Sequence, residues 1–148
     1  MNVTRKLCCL FVLLLSLTSI SAATAPQQKS LYERVGGYNA LAAVVDDFIV
    51  RLVTDRRFEK FFAGHSNDSK KRIRQHILDQ FCEATGGPCV YTGRDMKTTH
   101  AGLGITEADW DAAAKHLSDS LDKFKVPAQE KGELLAFVTG LKKDIVEK

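Results

Sequence analysis

Four histidines, at positions 65, 76, 100 and 116, are the side chains of this sequence best suited to hold a metal ion or move a proton. They are too scattered to define a zinc site by spacing. The sequence contains no CxxC pair, HExxH helix, Walker loop or GxSxG elbow. Lys70, Lys71, Arg72 and Arg74 cluster, but Asp68 and Asp79 flank them, which reads as a solvated helix face and not a nucleic-acid surface. Cys82 and Cys89 either close one disulfide, around an eight-residue loop, or stand as two buried thiols.

The elements that position these residues are helical. Prolines occur only at 26, 88 and 127, each at a natural boundary. Between them apolar residues recur at helical spacing. Leu41, Val44, Val45, Phe48 and Leu52 form one stripe after Gly36-Gly37. Ile73, Ile77 and Phe81 form a second, on a helix expected to start near Ser69, capped by Asp68 or Ser69 and stopped by Gly86-Gly87-Pro88. Thr106 and Asp109 resemble a capping box ahead of Trp110, Ala113, Ala114, Leu117, Leu121 and Phe124. Pro127 opens a last helix whose buried side is Leu134, Leu135, Val138, Leu141 and Ile145. Phe58, Phe61 and Phe62 make an aromatic knot before a polar stretch that includes His65. From Gly86 to Gly104 little helical period survives outside Met96–Ala101. A segment of that length needs something to organise it, and a packed ligand or cofactor would suffice. On pattern alone this is an all-α single domain with an apolar cavity or a cofactor.

The 148 residues, 45% hydrophobic and 26% charged, are ordinary globular composition, and the net charge of +3 excludes a dedicated polyanion-binding surface. The N-terminus is different. Arg5 and Lys6 precede an uncharged run from Leu7 to Ile20, and Ser21-Ala22-Ala23 follows, the three-part pattern of a secretory signal peptide. Residues 1–23 are read as that signal, 24–29 as a short linker and 30–148 as the folded domain. Cleavage leaves a mature chain of about 125 residues near +1, without stable membrane insertion. An exported protein, periplasmic or secreted, meets conditions in which Cys82 and Cys89 can pair.

Longer motifs carry a resemblance. Leu31-Tyr32-Glu33-Arg34-Val35-Gly36-Gly37, Val44-Val45-Asp46-Asp47-Phe48, Phe61-Phe62 and the run from Gly86-Gly87-Pro88 through Tyr91-Thr92-Gly93 and Met96-Lys97-Thr98-Thr99-His100 to Ile105 occur in order. Over about Ser30 to Ile145 the chain resembles a group I truncated haemoglobin. The resemblance implies a globin-like, two-over-two helical sandwich around one b-type haem (iron protoporphyrin IX) per chain. It implies His100 as the proximal iron ligand, its other ring nitrogen held by a hydrogen bond. It implies Phe62, Phe81 and Met96 as haem-wall residues.

The distal side departs from that pattern. The position that usually carries a Tyr hydroxyl falls on Ile49, and two positions that often carry Gln fall on Ile73 and Ile77. A donor to bound dioxygen is worth about 1.5–3 kcal/mol, so their loss is expected to speed oxygen release and favour CO and NO. His76, beside Ile77, has three readings: a distal iron ligand, a propionate contact or a solvated bystander. Lys97 either reaches a propionate or is solvated, and Tyr91 braces either the proximal loop or the haem edge. His116 reads as a core-edge residue and His65 as solvated.

The expected function is reversible binding of O2, CO or NO, with an unidentified reductase as a further partner. Catalysis is not the primary expectation; NO detoxification or peroxidase-like turnover would be a side activity. The alternative is a bis-histidine haem protein, His76 and His100 capping both faces, that transfers electrons or senses.

Overall fold

The computed structural model describes residues 28–148, so the expected signal peptide and most of the linker lie outside the described residues. Seven α-helices follow: α1 (Leu31–Arg34), α2 (Gly37–Thr54), α3 (Glu59–Phe62), α4 (Asn67–Ala84), α5 (Met96–His100), α6 (Glu107–Lys123) and α7 (Ala128–Ile145). No strand occurs among the described residues. α2 packs on both α4 and α6, α6 packs on α7, and α5 lies against α7. The long helices thus form two pairs, α2 with α4 and α6 with α7. The all-α sandwich expected from the sequence is present.

Each helix end has a local cause. Ser30 and Glu33 form a capping box at α1, and Thr106 with Asp109 forms the one anticipated at α6. α4 starts earlier than expected: the cap is Ser66, whose hydroxyl accepts the Ser69 N–H, so Asp68 and Ser69 lie inside the first turn. The aromatic knot is also ordered, as a 3-10 turn (Arg56–Phe58) leading into α3.

The core is built from Leu41, Val44 and Val45 of α2, Leu78, Phe81 and Cys82 of α4, Leu117 and Leu121 of α6, and Leu134 of α7. Two stripes need correction. Phe124 ends α6 at 42% exposure because the helix has already turned it outward, beneath the Lys123 ammonium. On α7 only Leu134 is fully buried; Val138, Leu141 and Ile145 instead face a cavity.

Polar ties fix the pairs to one another. Asp47 of α2 accepts from Arg51 (2.7 Å), from Ser120 of α6 (2.8 Å) and from Lys123. Arg34 reaches across to Glu130 and Glu133 of α7. A disulfide joins Cys82 near the end of α4 to Cys89 in the following loop, Cα atoms 5.7 Å apart. Gly87 lies inside that loop for a steric reason. A Cβ there would sit 2.6 Å from the Tyr32 ring and 2.7 Å from Cys82 Sγ.

Candidate functional site

α2 to α7 enclose an apolar cavity of about 510 Å3, within the range of small-molecule and cofactor sites. His100, the last residue of α5, stands on its wall. Three local features hold it there. Asp95 caps the short helix by accepting the Thr98 N–H at 2.8 Å, an interaction that also lowers the Asp95 pKa. Tyr91 donates its hydroxyl to the Arg94 carbonyl at 2.6 Å, so of its two readings it braces the proximal loop. Beyond the helix, the N–H groups of Gly102 and Gly104 donate to the Glu147 carboxylate, pinning the exit of the loop to the C-terminal segment.

The electronic consequence lies in one hydrogen bond. His100 Nδ1 is 2.8 Å from the Met96 carbonyl. A carbonyl only accepts, so Nδ1 carries the proton and Nε2 keeps its lone pair. That is the tautomer an imidazole binding a metal through Nε2 requires, with an orienting partner that fixes the ring.

The facing wall comes mainly from α4. Ile73, Ile77 and Phe81 all line the cavity, and so do Phe62 of α3 and Met96 of α5. Two expected residues do not. Ile49 packs against the main core cluster, and its neighbour Phe48 takes the cavity-facing place on α2. The two differ by 100° around the helix, and only Phe48 is turned onto the cavity wall. His76 lies off the cavity wall. Its ring stands edge-on to Tyr91, centroids 6.0 Å apart, with Nδ1 buried and without a partner.

The remaining histidines separate cleanly. His116 Nε2 is 2.9 Å from Asp55 and its ring packs beside Phe58, a core-edge residue as expected. His65 is exposed but reaches the cavity lining, so it is not simply solvated. Lys97 is exposed. Among the described residues no group of three or more His, Cys, Asp or Glu could cage a metal ion.

Sequence reasoning also missed wall residues: Phe58, Phe61, Trp110, Leu141 and Gln80. Phe58 and Phe61 were visible as an aromatic knot and Trp110 and Leu141 as members of helical stripes, patterns that do not specify core or cavity as the destination. Gln80 had a signal, since it falls three residues after Ile77 on the same face.

The His100 imidazole with its Nε2 free, facing branched alkyl and aromatic side chains across an apolar space, suits a planar iron macrocycle that brings its own four equatorial ligands. Fold and site together define a haem-binding globin of the shortened, two-over-two kind.

Comparison with known proteins places it further. The model of the bacterial-like globin family matches residues 30–147. The chain is 37% identical to the group 1 truncated hemoglobin GlbN of Mycolicibacterium paratuberculosis, over 78% of this chain and 83% of that one. It is 36% identical to GlbN of Nostoc commune, over 80% and 98%. In structure it is similar to the Fe(III) truncated hemoglobin of Tetrahymena pyriformis, with a TM-score of 0.73 at 27% identity, covering 81% of this chain and all of that one. The 2/2 hemoglobin of a Synechococcus species gives the same figures. The chain belongs to the bacterial-like globin family, as a group 1 truncated haemoglobin.

Proposed function

We propose that the mature chain holds one haem b through His100 and reversibly binds O2, CO or NO on the opposite face, in an extracytoplasmic compartment. Haem, when bound, supplies an iron atom with one face for His100 and one for a gas. The chain does the rest. The Met96 carbonyl orients His100, and Phe62, Phe81 and Met96 exclude water along the cavity wall. The observation carrying the ligand preference is the pair Ile73 and Ile77, two branched alkyl groups where the family often has hydrogen-bond donors.

A missing donor of about 1.5–3 kcal/mol corresponds to roughly ten- to hundredfold faster oxygen release. Binding of CO and NO, which depends less on such a donor, is favoured in proportion. Stopped-flow oxygen dissociation tests this. Ile77→Gln should slow release by about tenfold on the same scale; a rate equal to that of the wild type would contradict the apolar-wall reading. For the same reason NO consumption under oxygen should not exceed simple autoxidation. An unidentified reductase completes the expected partner set.

The bis-histidine alternative needs His76 at the cavity, and the buried Nδ1 without a partner is the one observation in its favour. Its position against Tyr91, away from the lining, supports the open-pocket reading instead. His76→Leu should then leave the ferric absorption spectrum unchanged. Conversion from low-spin to high-spin bands in that variant would establish His76 on the iron.

A further inference from the structure

Besides the indole of Trp110 on α6, the cavity wall carries five polar side chains: His65, Gln80, Thr99, His100 and Asp109. Three are committed. Asp109 is held in its capping box with Thr106, Thr99 donates to the Arg94 carbonyl, and His100 donates to that of Met96. Of the other two, His65 is exposed. Gln80 is half-buried, and no side-chain hydrogen bond occupies it among the described residues, whereas Gln75 on the same helix donates to both Tyr38 and Asp79.

Gln80 is also the one polar member of α4's cavity face, which otherwise presents Ile73, Ile77 and Phe81. Residues three apart on a helix are surface neighbours. The Gln80 Cα lies about 4.5 Å further along the axis than that of Ile77. Side chains on a helix lean toward its N-terminus, so a long one covers the turn before its own Cα. The Gln80 amide is thereby carried back toward the spot that Ile77 leaves without a donor. An amide on this wall without a side-chain partner gains a hydrogen bond by donating to a polar atom that enters the cavity.

From this we infer that Gln80 is the specificity-determining residue of the distal pocket, its amide N–H donating to the outer atom of a bound diatomic gas. The inference rests on the haem-binding reading above. It makes the pocket donor-poor, with one displaced donor, and gives oxygen a longer residence than a fully alkyl wall would allow.

The test compares wild-type, Gln80→Met and His65→Leu haem-loaded proteins, by infrared spectroscopy of their CO complexes and by oxygen dissociation. A donor near the outer atom of CO lowers its stretching frequency. Gln80→Met should therefore raise that frequency and speed oxygen release about tenfold, the ratio given by a net hydrogen bond of about 1.4 kcal/mol. The Soret maximum and melting temperature should hold, and His65→Leu should move both readouts less than Gln80→Met does. Gln80→Leu, which also removes the donor, should change both in the same direction as Gln80→Met and serves if the methionine variant folds poorly. Wild-type values in both Gln80 variants would overturn the inference, as would a shift seen only in His65→Leu. A wild-type protein with no Soret band would overturn the haem reading and this inference together. A normal band with unresponsive Gln80 variants would overturn this inference alone.

Discussion

At the scale of single residues, the Nδ1–H of His100 donating to the Met96 carbonyl decides what the cavity can do. The bond sets the tautomer and aims Nε2, so loss of the ring should remove the iron ligand and leave the surrounding fold in place. His100→Gly is predicted to lose tight haem binding, and added imidazole should restore a Soret band by entering the vacated space. A glycine variant that binds haem as tightly as the wild type without imidazole would show that another residue holds the iron. Much of this scale was legible in the sequence, because His100, Phe62, Phe81 and Met96 follow quoted motifs at fixed separations. Ile49 was not: counting gives a position along α2 but not its rotation, and Phe48 claims the inward direction by packing toward the cavity. His76 has the same origin. Its register beside Ile77 was readable, and its turn toward Tyr91 was not.

At the scale of elements, two ties hold the cavity walls apart at a fixed width. The Cys82–Cys89 bridge anchors the end of α4 to the loop that leads to His100. Closing an eight-residue loop stabilises by about 2.5 kcal/mol in the chain-entropy model. Reduction should therefore lower the melting temperature by about 10 °C, measured with and without reductant; an unchanged transition would show that the bridge contributes nothing.

Asp47 is the second tie, between α2 and α6. Lys123, then Arg51, then the Ser120 hydroxyl hold its carboxyl well below the usual carboxylate range, against the opposing effect of burial. A depressed folded pKa stabilises above the unfolded value of about 3.9, and that stability is lost as pH falls toward the folded value. Asp47→Asn should cost about 1–3 kcal/mol at neutral pH, and the gap to the wild type should narrow below about pH 4 in urea denaturation. A gap that is constant with pH would remove the charge from the explanation. The helices themselves were readable from apolar spacing and caps. Their starts were less so: Ser66, Asp68 and Ser69 are all good caps by type, and only the hydroxyl that reaches the Ser69 N–H decides among them.

At the scale of the whole molecule, two helix pairs share one core cluster and leave an apolar cavity beside it. No helix among the described residues is long and apolar enough to cross a membrane. The proposal of export rests on the N-terminal sequence pattern of charged, apolar and small residues. Mass spectrometry of the protein recovered outside the cytoplasm should find an N-terminus at Thr24; an intact Met1 there would contradict cleavage. The charge of about +1 expected after the proposed cleavage accords with a small uncharged ligand in place of a polyanion.

Haem capture is the claim on which the rest depends, and Trp110 offers a direct view of it. It is the sole tryptophan of the chain, 9% exposed, on the cavity wall. Titrating the mature apo-protein with haemin should raise a Soret band and quench Trp110 fluorescence together, both breaking at one haem per chain. A titration with no Soret shift and undiminished Trp110 emission would contradict the account and leave a helical domain without its cofactor.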